Sequence, residues 1–499
     1  MTKLTSLMAL SASVILTSSG AAADVEIYQT TRQGDRLDKV EAQATGSASY
    51  TLTLNPDKTF QTLVGIGGSF TESGAQVLSE LSKTKRELAL RSYFSPSGAR
   101  ISLTRTHIAS SDFSVTNYTY APVPGDKDLK HFSIEPDHKY LLPMIKEAQG
   151  IAGAEFKILS SPWTPPPWMK TNNHWNGGNL KREYYQTFSD YIVKYIQAYE
   201  AEGIPIWGIT PANEPLGNGN NWESVHFSAH EMSNFIADYL GPTLEKHVPD
   251  LKVWAYDQNR GHHLVEWAEA ILGNPKSAKY VDGMAVHWYQ STVDVGAESL
   301  DEVHAKFPDK QILHSEGCID AMGDDEEIGV WLEDDWYWRP EASDWGYIWA
   351  ADDDKVNHPK YRPFYRYARD LIGGFNHHLV GWVDWNMFLN TRGGPNHARN
   401  YCLAPILVDS GKDSFYRTPL FYAMAHFSRY MRPGAKRIEL TGHDETLMAT
   451  AFQNPDQSIA VAVFNTSEEP INYDLSFFGR GKKTILIPGQ ALQTVVIKQ

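Results

Sequence analysis

Residues 204–215 read IPIWGITPANEP, and this stretch decides the fold. Ile206 to Ile209 is a short apolar run with Pro205 before it and Pro211 after it. An apolar run of that length between breakers reads as a buried strand. Past it stand Asn213 and Glu214. A carboxylate just beyond a buried parallel strand sits at the strand's C-terminal end, where α/β barrels carry their chemistry. The pattern recurs 102 residues on, where QILHSEG is an apolar strand ending in Glu316.

Working outward, six more strand candidates fall into line with these two. They are GIGGSF at 65–70, ISLTRT at 101–106, FKILSSPW at 156–163, LKVWAY at 251–256, GMAVHWY at 283–289 and GWVDWN at 381–386. Amphipathic stretches such as YYQTFSDYIVKYIQAYEAEG and MSNFIADYLGPTLEKH lie between most of them, and one long helix is expected from Glu72 to Phe94. Strand and helix alternating eight times predict a (β/α)8 TIM barrel, with Glu214 after strand four and Glu316 after strand seven. The glycine-rich first strand is no phosphate loop, because neither GxGxxG nor a following Gly-Lys-Ser/Thr is present.

Both chain ends read differently. Residues 49–65, SYTLTL and TFQTLVG around Asn55-Pro56-Asp57, are expected to form a β-hairpin. After Pro433 come short alternating strands at regular spacing. Together they predict a β-sandwich built from both ends: residues 24–63 and 433–499 flank a catalytic barrel at 64–432. Residues 1–23 hold Lys3, an apolar run to Leu16 and small residues ending at Ala23. This reads as a signal peptide, hence a secreted or periplasmic protein; the run is short of the roughly 20 residues a membrane span needs.

The formal net charge of −15 disfavours nucleic acid and anionic polysaccharides as partners, and a neutral substrate fits better. The 15 tryptophans and 25 tyrosines offer faces for core packing and for sugar rings alike. Cys318 and Cys402 are the only cysteines and read as two buried thiols. His262-His263 and His377-His378 are adjacent in sequence and share no helix face, and HExxH is absent, so no metal and no cofactor is expected. The acidic, tryptophan-rich residues 320–349 read as a solvated loop, since the regular spacing of a calcium loop is absent.

Two carboxyls at one barrel mouth suit a glycosidic bond. One protonates the leaving oxygen while the other attacks the anomeric carbon. Asn213 supplies an amide for the sugar's 2-hydroxyl. A lone glutamate is usually a surface charge, but both of these follow buried strands.

TPANEP, LHSEGC, SSPWTPPPWMKTNNHWNGG, GMAVHWY, TRTHIASSDFS and WVDWNMFLNTRGGPNHARN together resemble glycoside hydrolase family 30, the glucosylceramidase-like family. The similarity runs from about Gly65 to Arg432. It implies a retaining (β/α)8 enzyme with a side β-sandwich. By motif, it implies that Glu214 is the general acid/base and Glu316 the nucleophile. Asp112 and Trp163 would grip the sugar in the innermost subsite, with Trp385 and Asn400 as further walls. Arg105 would keep Glu316 ionised, and His287 and Tyr289 would orient the glutamates. Loop 216–222 and the acidic loop after Glu316 would frame subsites beyond the first sugar. The leading expectation is a secreted retaining β-glucosidase of the glucosylceramidase type. An endo-β-1,6-glucanase or a β-xylosidase of the same family is the alternative. A carbohydrate-binding protein on an inactive barrel would be expected to lack one glutamate, and both are present.

Overall fold

In the computed structural model, residues 24–44, 46–291, 293–320, 363–477 and 481–498 are described. The leader at 1–23 and all but the first residue of the acidic loop lie outside them. Eight parallel strands close into a barrel: β1 (Gly65–Phe70), β2 (Leu103–Ile108), β3 (Lys157–Pro162), β4 (Gly208–Ile209), β5 (Lys252–Asn259), β6 (Gly283–His287), β7 (Gln311–Glu316) and β8 (Leu379–Asp384). These are the eight expected runs: the first has the expected bounds, and the others differ from theirs by up to three residues at their ends. Each run is covered on the helix side and the barrel side, so it is buried along nearly its whole length rather than on alternate residues, and the polar side chains it carries, such as Arg105 and His314, are buried with it. Leu103, Leu159, Trp254, Ala285, Leu313, Val380 and Val383 fill the barrel's interior. The glycines of β1 serve close packing: a Cβ on Gly67 would lie 2.1 Å from the carbonyl oxygen of Leu103.

Two local expectations are corrected. The long helix after β1 is two helices, Glu72–Ser79 and Lys83–Phe94. Ser82 caps the second by accepting from Lys85 N, and its own N–H donates to Asp413, so the chain turns where periodicity alone would run on. The hairpin around Asn55-Pro56-Asp57 is one bent strand, Tyr50–Thr62. Both halves pair with Lys436–Thr441, and the register jumps from Thr59 to Asn55 opposite Ile438 and Glu439. Pro56 thus falls in the bulge, where no ladder N–H is needed, and Asn55 and Lys58 both bond the Glu439 carboxylate.

The β-domain is a nine-stranded sheet drawing Asp24–Thr30, Arg36–Val40 and Tyr50–Thr62 from the N-terminal side and six strands between Lys436 and Lys498 from the other. It folds over its own core of Ile27, Leu52, Val461, Tyr473, Ile485 and Val495, among others. Tyr473 donates to Gln493, whose Nε2 reaches the carbonyl of Leu486, tying the two arms together. Its outer face packs on barrel helices Pro363–Asn376 and Pro419–Ser428 through Phe452 and Phe464, and Asn376 donates to the carbonyl of Ala449. Among the described residues no helix is long and apolar enough to cross a membrane.

Candidate active site

The C-terminal ends of the strands converge on a cavity of about 530 Å³. Its walls include Asp112, Trp163, Asn213, Glu214, Tyr289 and Glu316, with Trp385 and Asn400 completing them. Arg105 and His287 lie in the floor, both fully buried. The structure therefore brings all ten sequence candidates to one place.

Glu316 ends β7, and the register of β7 against β6 shifts between His314 and Glu316. Its Oε2 takes the Arg105 Nη1 hydrogen at 2.5 Å, and its Oε1 accepts the Tyr289 hydroxyl at 3.0 Å. Both oxygens are thereby fixed on a residue that is 5 % exposed. Glu214 lies five residues past β4 with φ +45°, a conformation few side chains adopt. Its N–H is held by the Asp257 carbonyl, and its Oε1 meets His287 Nδ1 at 3.2 Å. The residue itself lines the cavity. Oxygens of Glu214 and Glu316 come within 4.8 Å of each other.

Arg105 organises the floor. Besides Glu316, its Nη2 donates to Asn213 Oδ1 at 2.7 Å and to Asp257 Oδ2 at 2.8 Å, and its Nε donates to Ser161. The bond to Asn213 fixes the amide so that Nδ2 is the group free to meet a ligand. Trp163 and Trp385 stack on each other at 4.8 Å, with the guanidinium 4.7 and 5.4 Å from their rings. Asn400 Nδ2 donates to Asp112 Oδ2 at 2.8 Å. Asp112 Oδ1 is buried without a partner among the described residues.

Asp257 is a residue of this site that sequence reasoning missed. It follows LKVWAY as Glu214 follows its own strand, so strand-end position was the available signal. Tyr256 and Asp257 both have positive φ, at a bulge in β5. The bulge aims the carboxylate inward, where it accepts from Arg105, Ser161, Thr210, His287 and Ser315. Glu223 and His397 were also missed. Their ion pair, 3.2 Å long, joins the loops after β4 and β8, and Asn117 from the loop after β2 donates to the same carboxylate.

The charges explain the titration. Burial opposes the charge on Asp257, but the Arg105 guanidinium and then His287 overcome it and hold its carboxyl well below the usual range. Burial likewise opposes the charge on His287; the Glu316 carboxylate and the bonds to Asp257 and Glu214 outweigh it and raise the imidazole to about 9. Burial pushes the Glu316 carboxyl up, with Glu214 adding to this while His287 and Arg105 pull it back. Burial first, then the Glu316 charge, raises Asp112 to about 8.

Glu214, His287 and Glu316 also form a cluster of metal-ligand types within 4.8 Å. The fit to a cation is poor. His287 spends Nε2 on Asp257 and Nδ1 on Glu214, and its raised pKa leaves no lone pair to give; Arg105 already neutralises Glu316. Cys318 and Cys402 are buried and form no disulfide.

A closed (β/α)8 barrel with paired carboxyls at its mouth and a sheet domain built from both ends defines a class, the barrel glycoside hydrolases. Within it, this chain belongs to glycosyl hydrolase family 30. The family's TIM-barrel domain matches residues 63–337 and 338–431, and its beta sandwich domain matches 434–495. The lysosomal acid glucosylceramidase of Mus musculus is 34% identical over 481 residues, 94% of this chain and 88% of that protein. An endo-1,6-beta-D-glucanase of Neurospora crassa is 27% identical over 435 residues, 84% of this chain and 82% of that protein. Among solved structures, SrfJ from Salmonella typhimurium superposes with a TM-score of 0.82 at 28% identity, covering 95% of this chain and 99% of that one. The endo-beta1,6-glucanase BT3312 gives 0.80 at 27% identity, covering 95% and 100%. The chain is a glycosidase.

Proposed function

We propose that this glycosidase hydrolyses β-glucosidic bonds by double displacement with retention, acting outside the cytoplasm after removal of its leader. The observation that carries the reading is the approach of Glu214 and Glu316 oxygens to within 4.8 Å. Retaining pairs stand about 5–5.5 Å apart, and inverting pairs leave room for a water between them at about 6.5–9.5 Å.

In the first step Glu316 Oε2 or Oε1 bonds to the anomeric carbon as the glycosidic oxygen leaves with the Glu214 proton. Arg105 and Tyr289 hold the attacking carboxylate in place, and the guanidinium opposes the upward push that burial gives its carboxyl. His287 donates to Glu214 Oε1, which leaves Oε2 to carry the transferred proton and stabilises the carboxylate that results. In the second step Glu214 takes a proton from water, the water oxygen bonds to the anomeric carbon, and Glu316 is released. Asn213 Nδ2 is placed for the 2-hydroxyl, where hydrogen bonds strengthen as the ring gains positive charge. Asp112 and Asn400 would take other sugar hydroxyls, with Trp163 and Trp385 as the apolar wall.

The leaving group is either a lipid, as the name of the mouse relative implies, or a further sugar, as the glucanase names imply. Reaction with a 2-deoxy-2-fluoro-β-glucosyl fluoride, followed by peptide mapping, tests the mechanism. The label is expected on Glu316; label on another residue, or none while turnover proceeds, would overturn it.

A further inference from the structure

Contacts between loops hold one wall of the cavity together. Asp112 lies on the loop after β2 and Asn400 on the loop after β8, and Asn400 Nδ2 joins them by donating to Asp112 Oδ2. Residues 396–400 form a closed turn, in which Asn400 N donates to Asn396 Oδ1 and Asn396 Nδ2 donates to the Asn400 carbonyl. A second contact ties this turn to the loop after β2. His397 donates to the Ser114 carbonyl through its backbone N at 3.1 Å and through its Nδ1 at 2.9 Å. With Nδ1 so engaged, Nε2 is the nitrogen left for Glu223, whose Oε2 is 3.2 Å away.

Glu223 comes from a third loop, after β4, and is fully buried. Its backbone is anchored: its carbonyl accepts from Asn218 Nδ2, and the next one, of Ser224, accepts from Lys170 Nζ. Its Oε1 accepts from Asn117 Nδ2 at 2.7 Å, again on the loop after β2. One anchored carboxylate thus grips both loops that carry Asp112 and Asn400. We propose that Glu223 and His397 are positioning residues for the sugar: their ion pair holds Asp112 and Asn400 in register, and affinity for the sugar falls when His397 loses its proton. The inference rests on the hydrolase reading above and concerns binding, not the chemical step.

A buried carboxylate is costly unless paired, and this one stands near other acids. Burial opposes the charge on His397, but the Glu223 carboxylate outweighs it and raises the imidazole, with Asp112 adding to the effect. Burial likewise opposes the charge on Glu223, and His397 overcomes it, with Ser110 helping. Lys170, His107 and Asp112 feel the Glu223 charge from the loop after β3, from β2 and from the loop after β2. Glu72 accepts from Val115 N, next to Ser114. Because the folded value of His397 is raised, the pair is complete below about pH 6.5 and is lost as pH rises through that raised value.

The test reads KM and kcat on an aryl β-glucoside from pH 5.5 to 9, for wild type, Glu223→Gln, His397→Gln and the double variant. At pH 5.5 each single variant should raise KM about tenfold while kcat stays within about threefold. The double variant should be no worse than either single one, since all three break the same contact. The ratio of KM, Glu223→Gln over wild type, should fall toward one by pH 9, where wild type has lost the pair too; titration of Asp112 is common to both and drops out of the ratio. A ratio that stays constant across the range, or a loss carried by kcat with KM unchanged, would overturn the proposal. So would a wild-type KM that does not rise between pH 5.5 and 9, a result that stands even if neither variant folds. Wild type inactive on the aryl glucoside at every pH would instead sink the hydrolase reading on which this one stands.

Discussion

Replacing Asp257 with Asn removes one negative charge from a fully buried site and keeps the shape. Five donors converge on the carboxylate: Arg105 at 2.8 Å, Ser161 at 2.9 Å and Thr210 at 2.7 Å on Oδ2, with His287 at 3.0 Å and Ser315 at 2.6 Å on Oδ1. The asparagine must present its NH2 to one set. Arg105 cannot accept, so the amide oxygen stays on the Oδ2 side and the NH2 faces His287 and Ser315. The serine can rotate. His287 can meet an N–H only by giving up its Nε2 proton, so the imidazole becomes neutral. Its pKa, raised to about 9 in the native protein, should fall below 6.5, because burial persists and the bond that favoured the charge is gone. His287 binds its proton more tightly folded than unfolded. The resulting stabilisation, about 3 kcal/mol from 6.5 to 9 at 1.36 kcal/mol per pKa unit, is complete below pH 6.5 and lost as pH rises through 9. The variant loses this together with the Arg105–Asp257 attraction, and removing one partner of a buried ion pair costs about 3–5 kcal/mol. In catalysis, Glu214 loses the imidazolium that stabilises its carboxylate, and Arg105 turns its whole charge on Glu316. We expect kcat/KM on an aryl β-glucoside to fall about 100-fold. A basic limb set by loss of the His287 proton, near pH 9 in the native enzyme, should move down by one unit or more. Profiles from pH 4 to 10 read both effects. A variant with native kcat/KM and an unmoved basic limb would refute the role given to Asp257.

Other outcomes follow from the same geometry. Glu316→Ala should lose about 10⁴-fold or more in kcat, roughly 5.5 kcal/mol of barrier, and added azide should restore turnover by giving an α-glucosyl azide, detectable by mass and NMR. Asp112, with its carboxyl raised to about 8, is protonated at neutral pH, so Asp112→Asn should keep kcat/KM within about tenfold whereas Asp112→Ala loses about 100-fold. Lys170→Met strips the donors from Thr164 Oγ1 and the carbonyls of Trp175 and Ser224, and the thermal midpoint should fall as about 3 kcal/mol of buried hydrogen bonding is lost. Dialysis against EDTA should leave activity unchanged, because His287 and Glu316 are engaged with protein charges; loss of activity with recovery on adding a divalent cation would contradict that.

The barrel was legible in the sequence because each strand is a short apolar run ended by a polar or breaking residue, as at Pro211 after Ile209 and Glu316 after Ser315. The two glutamates were legible for the same reason, since strand-end carboxylates are conspicuous against buried neighbours. Asp257 has that position too, but the charge that makes it important, Arg105, is 152 residues away in sequence and meets it only when the barrel closes. Glu223 and His397 were hidden likewise: each is an ordinary loop residue until loops after β4 and β8 meet. The bent strand at Asn55-Pro56-Asp57 was misread because those residues form turns in isolation. Pairing of both halves with one partner strand overrides that local preference. Trp163 and Trp385 could be placed at the pocket by motif, but their stacking on each other beside the Arg105 guanidinium is a product of closure alone.

The stereochemistry of hydrolysis tests the central claim most directly. Proton NMR of an aryl β-glucoside digest, read before mutarotation, should show β-glucose forming first, as two carboxyls within 4.8 Å require of a nucleophile and an acid. α-Glucose as the first product would mean that water, not Glu316, attacks the sugar, and would contradict the account.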